Sequence, residues 1–212
     1  MKQETHPASL SPAQAYQTLI PALFTEWAPR VADAAGIQTG QCVLDVACGT
    51  GFLTREIHHS TGPTGHVTGL GLGLNPDMLA VASSQNNAIE WKKGDAEDLP
   101  FPDDYFDAAD VLRKPFCLRD DEQLMQLFEQ AGIDNLVITQ QTGHAHVPDI
   151  DTLIDAELVG WMPMNGIAIS ASQAQNIRQA AKTQLGDYIN ENGQVRFAMP
   201  ALIVTGNNTL NH

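Results

Sequence analysis

Basic residues are scarce in this 212-residue chain: 11 Lys and Arg stand against 25 Asp and Glu, a formal net charge of −14. A field of that sign repels phosphate backbones and anionic lipid, which excludes nucleic acid and membrane surfaces as expected partners. Cysteine is nearly absent. Cys42, Cys48 and Cys117 form no close pair, which excludes a disulfide framework and a zinc site, so no metal is expected. No apolar run approaches the ~18 residues of a membrane span. The start, Met1-Lys2-Gln3-Glu4-Thr5-His6-Pro7, lacks the apolar stretch of a secretion signal. A reducing cytoplasm is the expected location. Charged residues make up only 17% against 43% apolar, which excludes wholesale disorder, and no repeat of solenoid length occurs. The length suits one domain with an appendage.

What is present is an α/β rhythm. Residues 1–40 read as a helical segment in which Ser11-Pro12 caps a helix over Ala13–Ile20, Pro21 and Pro29 punctuate, and Gly36 ends Val31–Ala35. Residues 41–212 read as the α/β domain. Cys42-Val43-Leu44-Asp45-Val46-Ala47 is the continuous run of a buried parallel strand, followed by the tight loop Cys48-Gly49-Thr50-Gly51 and a helix over Phe52–His59. Further strands are expected at about His66–Gly73, Ala88–Trp91 and Tyr105–Val111, with a helix opened by Asn75-Pro76-Asp77 between the first two. This is the order of a doubly wound, mostly parallel sheet. Later, Asp120 caps a helix through Ala131, Ile133–Gln140 reads as a strand, and a helical insertion occupies 142–192. Within it, Ser170 and Gln173 make a capping box for a helix to about Leu185. Gln194–Val204 closes the fold as an antiparallel strand, with Pro200 at a bulge or an edge, for about six strands in all.

The chemical signal is Val43 to Gly51. Glycines at 49 and 51 sit between a strand end and a helix start, where the backbone can approach a ligand and where open α/β sheets bind theirs. A nicotinamide fingerprint requires a third glycine at 54, which is Thr54, so a dinucleotide oxidoreductase is a distant alternative. His144-Ala145-His146 would put two imidazoles on one face of a strand end, without a third metal ligand.

The stretch Val43–Gly51 resembles motif I of class I S-adenosylmethionine-dependent methyltransferases, which have a Rossmann-like fold. Gly65-His66-Val67-Thr68-Gly69-Leu70 with Leu74-Asn75-Pro76-Asp77-Met78-Leu79, and Gly94-Asp95-Ala96-Glu97-Asp98-Leu99-Pro100-Phe101, resemble the next two segments of the ubiquinone-biosynthesis-like (type 11) branch. The resemblance implies S-adenosylmethionine as cofactor, S-adenosylhomocysteine as product and a small-molecule methyl acceptor. It places Gly49 and Gly51 at the amino-acid end of the cofactor, with Asp45 holding the loop or the ammonium group. Asp95 and Ala96 would meet the adenine and Met78 would pack on its face, while Ala47, Cys48 and Asn75 complete the set. Alternatives stay open: Asp45 capping local amides, Asp95 forming an Asx turn, Met78 as plain core. Cys48 reads as a small filler rather than a nucleophile. Methyl transfer from a sulfonium can run on positioning alone, so no catalytic residue is assigned.

Two departures stand out. The carboxylate that clasps the ribose at the end of the second strand is replaced by Gly73 or Gly71, depending on alignment. Its loss should cost ~1.5–3 kcal/mol for each charge-assisted hydrogen bond. After Val111 the family's next helix, fifth strand and roof helices are missing, an apparent deletion of about 40–50 residues with its junction at 112–119. Either the last two strands slide over to pair with the fourth, or a second copy covers that edge as a homodimer. Both departures support a rival reading: a degenerate fold with weak or no cofactor binding that serves as an interaction module.

Overall fold

The computed structural model describes residues 11–72, 76–111, 125–126, 128, 130, 133–164 and 166–207. A run as apolar as Val43–Val46 needs cover on both faces, and β1 (Cys42–Val46) takes the place that provides it. It lies inside a parallel sheet of order β3-β2-β1-β4, with β2 at His66–Gly71, β3 at Glu90–Lys93 and β4 at Ala108–Val111. Alternation sends Val43 to one face, where it packs with Ala28, Leu53, Ile57 and Val67. Leu44 and Val46 face the other way with Leu70, under Leu72, Phe101 and Phe106. Asp107 ties the start of β4 to β1: its carboxylate accepts from the Cys42 N–H at 2.7 Å. The crossover helices are α3 (Phe52–Thr61) and α4 (Pro76–Gln85). This is the doubly wound, Rossmann-like arrangement expected.

Prolines interrupt less than their positions suggest. The helix α1 (Pro12–Phe24) runs through Pro21, because Leu19 and Ile20 are held in buried contacts that outweigh the lost backbone bond. Pro29 sits in the first turn of α2 (Trp27–Ala34), where its missing N–H is of no consequence.

The last two strands are longer than expected and pair antiparallel as a separate sheet. Strand β5 spans Asp134–Val147 rather than ending at Gln140, and β6 spans Val195–Asn207. The continuation of β5 has small buried residues, Gly143, Ala145 and Val147, alternating with polar ones, a two-residue period carried by side chains too small to stand out. Helical structure therefore starts at Ile150 rather than at 142: α5 (Ile150–Asp155) leads into a wide π turn at Ala156–Trp161, and α6 (Ala171–Gln184) follows with the expected capping box. Pro200 pairs with Thr142 on a strand with a neighbour on one side, the edge position rather than the bulge; the irregularity lies at Asp134/Val137.

Of the two expected repairs, the first does not occur among the described residues. The β5–β6 pair hydrogen-bonds to no strand of the parallel sheet. It docks instead on the N-terminal helices. Trp27 fills the space above Gly143, where a Cβ would stand 2.8 Å from the indole, and Arg30 donates to the Thr142 carbonyl at 3.1 Å. The junction 112–119, most of the helix expected over 120–131, Cys117, Gly73 and Asn75 lie outside the described residues.

Candidate functional site

The chain leaves β1 through three left-handed residues in alternation: Ala47 at φ 63°, Gly49 at 58° and Gly51 at 74°. An alanine there costs about 1–2 kcal/mol relative to ordinary backbone, so its neighbours must impose the conformation. Two ties do so. The Cys48 N–H donates to the Leu70 carbonyl at 3.1 Å, and the Gly51 N–H returns to the Cys48 carbonyl at 2.8 Å. Beneath them Asp45, 1% exposed, accepts from the Thr54 hydroxyl at 2.5 Å. That bond clamps the strand before the loop to the first turn of the helix after it.

The two glycines do different jobs. A Cβ on Gly49 would meet nothing nearer than the Ala47 carbonyl at 4.0 Å, so this residue faces open space. A Cβ on Gly51 would stand 2.2 Å from the Trp91 ring and 3.3 Å from Ala82. Gly51 is bare to admit the protein's own indole. Gly69, paired with Trp91 across β2 and β3, is bare for the same reason. Cys48 is buried, and burial together with the Asp45 charge pushes its thiol far up, which leaves it protonated and fits a filler rather than a nucleophile.

The other expected residues follow the carboxyl ends of neighbouring strands. Met78 is half-buried in the first turn of α4, after β2. Asp95 and Ala96 are exposed just beyond β3. Asp95 accepts the Glu97 N–H at 3.0 Å, so it does form the Asx turn, while a carboxylate retains further acceptor sites for a ligand. At the end of β2, Gly71 leaves room for Leu79, whose side chain would lie 2.6 Å from any Cβ there. A ribose-clasping carboxylate has no space at that position.

Three contributors escape a reading by motif. Thr54 registers in sequence only as a missing glycine, yet it is the partner of Asp45. Trp91 carried a signal, a lone large ring with glycines on the adjoining elements. Leu79 carried none. Among the described residues no group of three or more His, Cys, Asp or Glu is arranged to hold a metal. His144 and His146 do not form a ligand pair; both serve Glu26, which accepts from the His144 backbone N–H at 3.1 Å and lies 2.8 Å from the His146 ring. Those contacts hold the Glu26 carboxyl below its usual range. Among the described residues no helix is long and apolar enough to cross a membrane.

Known proteins resemble this chain in sequence and in fold. Residues 43–132 match the methyltransferase domain family. The chain is 37% identical over 91 residues to a ubiquinone/menaquinone biosynthesis C-methyltransferase from Pseudomonas savastanoi pv. phaseolicola, covering 40% of this chain and 35% of that one. It is 30% identical over 167 residues to the protein of the same name from Vibrio campbellii, covering 74% of this chain and 62% of the relative. The chain thus spans about a third of the first relative and under two thirds of the second. Among solved structures, the YcgJ protein of Bacillus subtilis superposes with a TM-score of 0.54 at 14% identity, over 86% of this chain and 97% of that one, a likeness of fold.

Proposed function

We propose, on the premise that this chain belongs to the class I S-adenosylmethionine-dependent methyltransferases through its domain at residues 43–132, that it binds S-adenosylmethionine and methylates a small-molecule acceptor by in-line displacement. The observation that carries the reading is Gly49: a left-handed residue at the end of the central strand whose missing side chain opens outward, on a loop fixed by the Asp45–Thr54 bond. The residues fit the cofactor at this end. Ala47, Cys48 and Gly49 would border its amino-acid portion, and Met78, Asp95 and Ala96 its adenine, with Asp95 accepting from the exocyclic amine. The bound cofactor would supply a methyl group already activated by its sulfonium charge. The protein's own contribution is then to hold the acceptor in line and exclude water, which needs no dedicated base.

The fit is poorer at the ribose, where Leu79 fills the space beside Gly71. Affinity should therefore fall tens to hundreds of fold below that of a site with the carboxylate. Calorimetric titration with S-adenosylhomocysteine is expected to give saturable one-to-one heat in the micromolar range or weaker. No heat at millimolar ligand would replace this reading with that of an interaction module. A second copy over the side of β4 that no strand pairs with among the described residues remains our proposed cover for that edge. Light scattering at twice the chain mass supports it, and a monomer at every concentration removes it.

A further inference from the structure

The β5–β6 ribbon has two outer edges, and the groups along each can be assigned from their hydrogen-bond partners. In an antiparallel strand the N–H and C=O of one residue point the same way, and successive residues alternate. Arg30 donates to the Thr142 carbonyl at 3.1 Å, and Glu26 accepts from the His144 backbone N–H at 3.1 Å. Residues 142 and 144 therefore turn their backbone groups away from β6, toward α2. On the other strand the parity is set by Gln194, just before β6. Its carbonyl accepts from the Asn190 N–H at 2.9 Å, across the turn that bridges Ile189 to Val195. Gln194 thus faces away from β5, and the register runs without a shift from Val195 to Thr205, so residues 196, 198 and 200 face outward too.

Pro200 therefore removes an N–H from the outer edge of β6 and none from the ladder with β5. It is also the register partner of Thr142, so both outer edges are closed at the same level. On β5 the closure is made by side chains. Glu26 caps the N-terminus of α2 and Arg30 follows four residues on, so the two lie on one side of the helix. One offers an acceptor to a strand N–H and the other a donor to a strand carbonyl, the two groups a neighbouring strand would offer. The Glu26 carboxylate is held there by Arg30 at 3.4 Å and by the His146 ring at 2.8 Å. Among the described residues no strand of the parallel sheet lies beyond either edge. An unguarded edge is a template for another extended chain. The extended chain present wherever this one is present is a second copy, and two copies of one edge fit each other about a two-fold axis.

We infer that Glu26, Arg30 and Pro200 are edge guards, which keep the ribbon of one copy from pairing edge to edge with the ribbon of a second. The inference goes beyond the methyl-transfer reading and does not depend on it. The test uses the full chain without cofactor, and each variant is compared with wild type, so association through β4 cancels. Pro200→Val opens the β6 edge and alters no residue of α2. Glu26→Ala combined with Arg30→Ala opens the β5 edge. In light scattering over a concentration series, each variant, shown to be folded by circular dichroism, should reach at least twice the wild-type mass. In the double variant the His144 amide should exchange fast in dilute solution and slowly in the associated state. Adding His144→Pro removes the outward N–H without touching the ladder, and should return that variant to the wild-type mass. Wild-type mass at every concentration for either folded variant overturns the inference. Association of the double variant that His144→Pro leaves unchanged overturns it as well.

Discussion

The parallel sheet and the antiparallel pair keep their residues out of water by different means. In β1 four successive residues, Val43, Leu44, Asp45 and Val46, are each 4% exposed or less. In β5 burial is confined to one face near Gly143–Val147, and Val137 remains 58% exposed. The sheet is covered by its own crossovers, by Ala28 and Val31 of α2, and by the aromatic loop that follows β3. The pair is fastened by residues from the far end of the chain: Trp27 against Gly143, Arg30 on the Thr142 carbonyl, and Glu26 between His144 and His146. The loop that carries Gly49 belongs to the sheet, and the pair is an attachment held through α2, which also places Ala28 on the sheet's core.

Trp27→Ala breaks that attachment where the indole lies on Gly143. It should cost about 3–5 kcal/mol, with amide exchange accelerated through Asp134–Asn207 while β1 stays protected. Uniform acceleration of both halves would mean they stand or fall together. A smaller effect separates the two glycines of the loop. Gly51→Ala must adopt a left-handed backbone and displace Trp91, for about 2–4 kcal/mol by urea denaturation. Gly49→Ala meets only the backbone term, about 1–2 kcal/mol, yet is the one expected to weaken S-adenosylhomocysteine. Equal stability losses would contradict the division of labour between them.

The smallest effect is electrostatic and lies in the sheet. Glu90 on β3 lies 2.9 Å from the His66 ring and 3.0 Å from Lys92, and accepts from Thr68 at 3.0 Å. The His66 and Lys92 contacts lower its pKa from 4.5 to about 2. A depressed carboxylate stabilises fully above its unfolded pKa and loses that contribution as pH falls from about 4.5 to about 2. At neutral pH Glu90→Gln should cost under about 1 kcal/mol, since the cluster is part-exposed, and the difference from wild type should vanish near the lower limit. A loss that persists in acid would assign the effect to packing.

What the sequence makes legible is what local chemistry decides. The apolar run of β1, the glycine turn, the Ser11 cap and the Ser170 capping box each declare themselves within a few residues, and all form where expected. Contacts between distant residues do not declare themselves. Gly51 looks like Gly49 in the motif, and only the arrival of Trp91, forty positions on, gives it a packing role. Pro21 looks like a helix end until Leu19 and Ile20 are seen to be buried. The extension of β5 is hidden because Gly143 and Ala145 are small, and Gly143 is small because Trp27 lies on top of it.

Hydrogen exchange across the loop after β1, with and without S-adenosylhomocysteine, tests the cofactor site most directly. Slower exchange at Ala47–Gly51 and at Gly94–Glu97, with β5 and β6 unchanged, is the expected result. Unaltered exchange at both loops under saturating ligand would contradict it.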